Sequence, residues 1–248
     1  MALQEEFEDQ GNFLFKYRTY LPLVVLVAGL ALFYFQKTNG TYNDLGPNLW
    51  FLALAVGLIG LLIRIYTVGH TPENTSGRNT TGGQLADQLN QTGIYSLVRH
   101  PLYLGNFLMW LAVALLTANA AYIIGFILAY WLYYERIMYA EEQFLRGKFG
   151  KVYTDWAVNV PAFMPKISGF VSPKYPFSIK KVLKKEKNGV AALFGLFFIF
   201  ELVGNYAETQ NIDIQPTFWF LGFAISTIVY LVLKLIKSNT KILDEEGR

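Results

Sequence analysis

The chain contains no cysteine, which excludes a disulfide framework, thiolate zinc sites and thiol nucleophiles. Charge is scarce as well: only 16% of its 248 residues are Asp, Glu, Lys or Arg, against roughly 25% in an average soluble domain. A hydrophobic fraction of 53% and an aromatic fraction of 17% leave a membrane protein as the class that fits. The net charge of +3 is too small to argue for a nucleic-acid partner. There is no internal repeat, heptad pattern or glycine-rich phosphate loop, and no metal site is expected.

Apolar runs fall at 20–36, 48–66, 102–118, 120–134, 190–207 and 216–235. A bilayer core of about 30 Å needs about 17–25 residues per spanning helix, so the expected fold is all-α, a polytopic membrane bundle of about six transmembrane helices with helical and loop segments outside. The start, MALQEEFEDQ, is acidic where a cleavable signal would be basic, so the first run is expected to be retained. With six spans, Lys and Arg divide 20 to 1 between the two sides, Lys37 being the lone exception. The positive-inside bias then places both termini and the two long loops, 67–101 and 135–189, in the cytosol. Three regions follow: a two-span segment at 1–66, a central segment with a membrane hairpin at 67–166, and a basic interfacial segment with two further spans at 167–248.

Between the second and third runs, GHTPENTSGRNTTGGQ at 69–84 is rich in turn-forming residues and reads as a loop. Leu85, Leu89 and Leu97 predict a weakly amphipathic interfacial segment broken by Gly93. Pro101 is expected to open the third span, because its missing N–H costs nothing in a first helical turn. The fourth run is expected to continue as a helix to about Phe149, with Gly150 as the stop. SIKKVLKKEKN at 178–188 reads as a short basic amphipathic helix, Ile179, Val182 and Leu183 on one side and lysines on the other, lying on anionic headgroups.

Two polar clusters bracket the hairpin: GIYSLVRHPLYLG at 93–105 before it and YERIMYAEEQFL at 134–145 after it. A hairpin needs a reversal at its tip, not this density of charge at its foot. Arg99, His100, Glu135, Arg136, Glu141 and Glu142 therefore read as two walls of a ligand site at the membrane surface. Glu201, inside FFIFELVGNY, is a functional candidate because a carboxyl at mid-span costs about 2.5–3.5 kcal/mol.

RHPLYLG at 99–105, the hairpin, AEEQFLRGKFGKVYTDW at 140–156 and VPAFMP at 160–165 together resemble the catalytic half of the isoprenylcysteine carboxyl methyltransferase and phospholipid methyltransferase superfamily. The resemblance covers about residues 90–166. It implies an integral membrane enzyme that uses S-adenosylmethionine and methylates a lipophilic substrate entering from the bilayer. Carried over by position, His100, Pro101, Tyr103, Gly105, Glu142, Tyr153 and Pro161 are expected to bind the cofactor. Arg99, Arg136 and Glu141 are expected at the catalytic centre. Arg64, Arg78 and Glu201 are candidates for substrate contacts. The long loop at 69–84 and the two spans after the catalytic segment depart from the family pattern.

Such a cofactor presents a sulfonium, an ammonium, a carboxylate and a flat adenine. Glutamates, aromatic faces and an arginine or helix-start N–H groups answer the first three. Arg64, Arg78, Arg99, Arg136 and Arg146, on the expected cytosolic face, favour an anionic acceptor, either a lipid phosphate such as that of lipid A or an isoprenylcysteine-type carboxylate. Phospholipid amine methylation stays open, as does a non-enzymatic transporter or scaffold.

Overall fold

The computed structural model describes residues 2–18, 20–75, 78–80 and 83–247; for residues 21, 78–80, 83 and 84 it describes the backbone only. Parts of the expected loop (Ser76, Gly77, Thr81 and Gly82) and Arg248 lie outside the described residues.

Every apolar run becomes a helix: α2 (Tyr20–Thr38), α3 (Pro47–His70), α4 (Pro101–Leu115), α5 (Ala120–Phe149), α7 (Ile179–Thr209) and α8 (Phe218–Asn239). Prolines open α3 and α4, where no N–H is lost. Asn119, Ser178 and Thr217 cap α5, α7 and α8 by accepting from the N–H groups of Tyr122, Lys181 and Phe220. α5 runs through the end of the hairpin into the polar cluster and stops at Gly150, whose φ of +53° is left-handed backbone that glycine takes without steric cost; the short α6 (Lys151–Ala157) follows it. By length and composition α3, α7 and α8 can cross a membrane; the apolar helices Pro22–Thr38 and Pro101–Leu115 are shorter.

Four features differ from the sequence expectation. The acidic start folds as α1 (Leu3–Lys16), an amphipathic helix that buries Gly11 and Phe15. Gly11 is needed there, since a Cβ would lie 2.1 Å from the Arg136 carbonyl oxygen of α5. The 69–84 loop contains a short antiparallel hairpin, β1 (Arg78–Thr80) with β2 (Gly83–Leu85). Residues 85–97 form no amphipathic helix; extended chain leads into a 3-10 turn at Ile94–Ser96, with Gly93 at φ +62°. The basic segment 178–188 is the first part of α7 rather than a separate surface helix, and two of its lysines turn inward while Lys180 and Lys185 stay exposed. Ile179 and Leu183 point outward while Lys181, Glu186 and Lys187 are buried. Buried charges need partners, and three oxygens supply them at Lys181: its Nζ donates to the Thr71 carbonyl at 2.5 Å, the Pro72 carbonyl at 3.0 Å and Thr71 Oγ1 at 3.2 Å.

α3 and α4 pack closely because glycines meet: a Cβ on Gly60 would sit 2.5 Å from the Gly105 carbonyl oxygen. Phe33, Leu116, Leu193, Phe197 and Phe200 fill the core between α2, α4 and α7. α8 covers the outside of α7 and buries only Ser226, leaving Leu221, Ile225, Ile228, Val232 and Leu235 on an apolar outer face. One end of the bundle gathers Arg18, Arg64, Lys181, Lys184 and Lys237. At the other, Lys37 is paired with Glu208 at 2.8 Å.

Candidate active site

α4 begins where α5 leaves the apolar layer, so the first turn of one faces the polar half of the other. The segment ahead of α4 is pinned from behind: Arg99 N–H donates to the Pro161 carbonyl at 2.9 Å, His100 N–H to the Ala162 carbonyl at 3.1 Å, and Lys166 N–H to the Leu97 carbonyl at 3.1 Å. These bonds fix the imidazole of His100, 6% exposed, between two carboxylates.

His100 Nε2 lies 2.9 Å from Glu142 Oε1, and Nδ1 lies 3.6 Å from Glu141 Oε2. Tyr103 donates its hydroxyl hydrogen to Glu141 Oε2 at 2.8 Å, and Arg99 Nε sits 2.9 Å from Glu142 Oε1. Burial disfavours the imidazolium, but the hydrogen bonds and charges of Glu141 and Glu142 outweigh it and hold the His100 pKa up at about 9. Burial likewise works against the ionised glutamates. It is overcome by His100 at both, by Tyr103 and Arg18 at Glu141 and by Arg99 at Glu142, so both carboxyls stay below their ordinary range. Tyr153, 1% exposed, packs behind Glu142; burial and that negative charge push its phenol well up. At neutral pH the cluster is an imidazolium between two carboxylates, with Arg99 as a second cation.

A cavity of about 230 Å³ opens against this cluster, walled by Arg99, His100, Pro101 and Tyr103 on one side and Glu141, Phe144 and Leu145 on the other. Trp156 also lines it, and its indole N–H is buried without a hydrogen-bond partner among the described residues. A second cavity of about 360 Å³ adjoins it, the two sharing Arg18, Arg64 and Leu102.

The two polar clusters thus meet as the sequence predicts, but several residues stand elsewhere than expected. Glu141 faces the cavity, whereas Glu142 braces His100 from outside it. Gly105 lines neither cavity; it lets α4 approach α3, and a Cβ there would meet Arg64 Cγ at 2.6 Å. Pro161 acts through its backbone carbonyl. Arg136 is turned away by α1, stacking its guanidinium 3.5 Å from the centre of the Phe7 ring and pairing with Glu135 at 3.0 Å. Arg64 does line both cavities, its fork bound to Glu186 by two contacts of 2.8 Å and to Asn106 at 2.5 Å. Glu201 accepts from Thr217 Oγ1 at 2.7 Å, about 22 Å along α7 from Glu186, so it is not part of the site. The Arg78 side chain lies outside what the structure describes.

Sequence reading missed Arg18, Asn106 and Trp156. Trp156 closes the TDW of the family-like motif and carried the available signal; Arg18 had none beyond its place in the count of basic residues.

A family model for phospholipid methyltransferases matches residues 49–152. The cobalt-zinc-cadmium resistance protein CzcN of Cupriavidus metallidurans is 32% identical over 161 residues, 63% of this chain and 68% of that protein. The chain belongs to the isoprenylcysteine carboxyl methyltransferase and phospholipid methyltransferase superfamily. Within the superfamily, the protein-S-isoprenylcysteine O-methyltransferase of Xenopus laevis is 29% identical over 137 residues, 52% of this chain and 45% of that enzyme. The nickel-cobalt-cadmium resistance protein NccN of Alcaligenes xylosoxydans xylosoxydans is 33% identical over 121 residues, and this chain spans 53% of its length. Among the described residues, no group of three or more His, Cys, Asp and Glu side chains that could hold a metal ion is found. No solved structure matches. The superfamily match covers α3, α4 and α5 and so includes both cavity walls, His100–Tyr103 and Glu141.

Proposed function

We propose that the protein is an S-adenosylmethionine-dependent O-methyltransferase that acts on an acidic lipid at the cytosolic face of a membrane, with both termini on that face. The observation that carries the reading is the cavity between the start of α4 and the polar half of α5, where the family match and the charge cluster coincide. The residues present fit the cofactor. Glu141 offers a carboxylate to an ammonium, and Arg99 or Arg18 offers a cation to a carboxylate. Tyr103 and Tyr134 offer aromatic faces to a cationic carbon, and Trp156 offers a donor with no other partner.

When bound, S-adenosylmethionine supplies a methyl group on a sulfonium that is already a good leaving group. Glu141, Arg99 and Trp156 would hold that group beside Tyr103 and Tyr134, where it would supply a methyl electrophile to an acceptor oxygen. Alignment and exclusion of water can then supply several kcal/mol of barrier lowering without a protein nucleophile. The protonation state of the site favours an anionic acceptor. His100 holds its proton at neutral pH and both glutamates are weakened as bases, so no group here is poised to deprotonate an amine or an alcohol. A carboxylate or phosphate needs no such base.

The test is calorimetric titration of S-adenosylhomocysteine into detergent-purified protein, alongside Glu141→Gln, with lipid mass spectrometry of cells with and without the gene. Binding that is lost in the variant, and one anionic lipid class heavier by a methylene, are expected. Absence of binding by the intact protein, or a mass gain confined to amine headgroups, refutes the assignment.

A further inference from the structure

The segment between α6 and α7 presents apolar side chains outward from a fixed backbone. Ile167 is fully exposed, Met164 is 72% exposed, and Phe170 and Val171 are each just over half exposed. The backbone that carries them is pinned: Lys166 N–H donates to the Leu97 carbonyl at 3.1 Å, the Val171 carbonyl accepts from Gly93 N–H at 2.8 Å, and Val171 N–H donates to Ser96 Oγ at 2.9 Å. Large apolar groups held outward by a pinned chain forgo the free energy that burial would recover, so a cluster of them marks a contact surface.

The place of this cluster in the fold identifies what it meets. Phe163, next to Met164, turns into the membrane hairpin, its ring 5.7 Å from Phe107 of α4 and 5.6 Å from Trp131 of α5. Trp131 is itself 43% exposed, as are Leu128 and Leu132 on the same helix to a greater degree, and indole rings favour the level where the apolar core meets the head groups. The cluster therefore continues the apolar outer surface of the hairpin at its polar foot. Charge agrees with that position. No acidic residue falls between Asp155 and Glu186. Lys166, inside the cluster, donates to the Asn159 carbonyl at 2.9 Å, and Lys174, just after it, lies 5.4 Å from the centre of the Tyr175 ring; these are neutral groups, so both lysines keep their positive charge. Apolar side chains with basic neighbours fit an interface of anionic head groups over acyl chains.

We propose that Met164, Ile167, Phe170 and Val171 form a docking surface that enters the anionic lipid interface beside α4 and α5. The surface goes beyond the methyltransferase reading and stands whatever group is methylated. It seats in lipid the same stretch of chain whose Pro161 and Ala162 carbonyls hold Arg99 and His100 in place.

The absence of native cysteine lets one introduced thiol report on the surface. Full-length Ile167→Cys, labelled with a nitrobenzoxadiazole fluorophore, is reconstituted into liposomes of phosphatidylcholine and phosphatidylglycerol. Lys151→Cys is the aqueous reference, since its native side chain is 84% exposed and α6 starts about 22 Å beyond Tyr134 along α5. Both substitutions fall on exposed side chains, and both variants should melt at the native temperature. Lipid carrying a doxyl group high on its acyl chain is expected to quench the label at position 167 at least about twice as strongly as the label at position 151, and iodide on both sides of the membrane to do the reverse. At equal mole fraction, doxyl phosphatidylglycerol should quench position 167 at least about twofold more than doxyl phosphatidylcholine. Equal iodide quenching at the two positions, or equal quenching of position 167 by the two lipids, overturns the proposal. So does shielding of position 167 from iodide and lipid alike, the mark of a protein neighbour such as a second copy of this chain.

Discussion

Replacing Glu142 by Gln keeps the side chain's shape but removes one of the two charges that hold His100 protonated. In the native cluster the imidazolium pKa stands at about 9 against 6.5 for the unperturbed group, a preference worth about 3 kcal/mol at roughly 1.4 kcal/mol per pH unit. Because the folded value is the higher one, this stability is fully present below pH 6.5 and is lost as the pH rises through about 9. Glu142 makes the shorter contact, 2.9 Å against 3.6 Å for Glu141, so its loss should remove about half of the preference or more. The variant should therefore be less stable by about 1–2 kcal/mol at pH 7, with its high-pH limb moved down toward neutrality. Arg99 also loses its carboxylate in the variant, which acts in the same direction. Tryptophan-fluorescence melting in detergent from pH 6 to pH 10 reads both effects. Superimposable pH profiles for the two proteins would refute the buried imidazolium.

Other substitutions probe separate parts of the same end of the bundle. Arg64→Met leaves Glu186, whose side chain is 3% exposed, buried without its partner; a loss of roughly 3–5 kcal/mol is expected in thermal or denaturant unfolding, with Arg64→Met/Glu186→Leu recovering much of it. Gly105→Ala drives a methyl against Arg64 Cγ and the Gly60 carbonyl, and should cost about 1–3 kcal/mol in the same assay. Trp156→Phe removes the unpartnered indole donor and should weaken S-adenosylhomocysteine binding roughly two- to tenfold, the worth of one neutral hydrogen bond, with the melting temperature little changed. Glu201→Gln should leave that binding constant unchanged, because its carboxyl accepts from Thr217 toward the opposite end of α7.

The helices were legible because periodicity does not matter when a helix is apolar on all sides; length and punctuation suffice. Pro101 and Gly150 marked the helix boundaries that place His100 opposite Glu141 and Glu142. What escaped the sequence depends on contacts distant along the chain. α1 is short and acidic, and its apolar stripe makes sense only against α5, where Tyr133 donates to the Leu14 carbonyl at 3.1 Å. The inward lysines of α7 were misassigned for the same reason: the oxygens that satisfy Lys181 lie 109 and 110 positions earlier. The separate fates of Glu141 and Glu142 follow from the turn between adjacent helical residues, about 100°. Motif spacing pairs them, and only the packed neighbours distinguish them.

The clasp of α1 on α5 also orders biosynthesis. Phe15 and Arg18 line the donor cavity, yet the helix that anchors them opposes residues 136–140. A nascent chain halted before α5 would carry its first helix with nothing to dock on. The donor cavity can take shape only after the ribosome has delivered α5, so ribosome-bound intermediates arrested upstream of α5 should leave α1 open to protease.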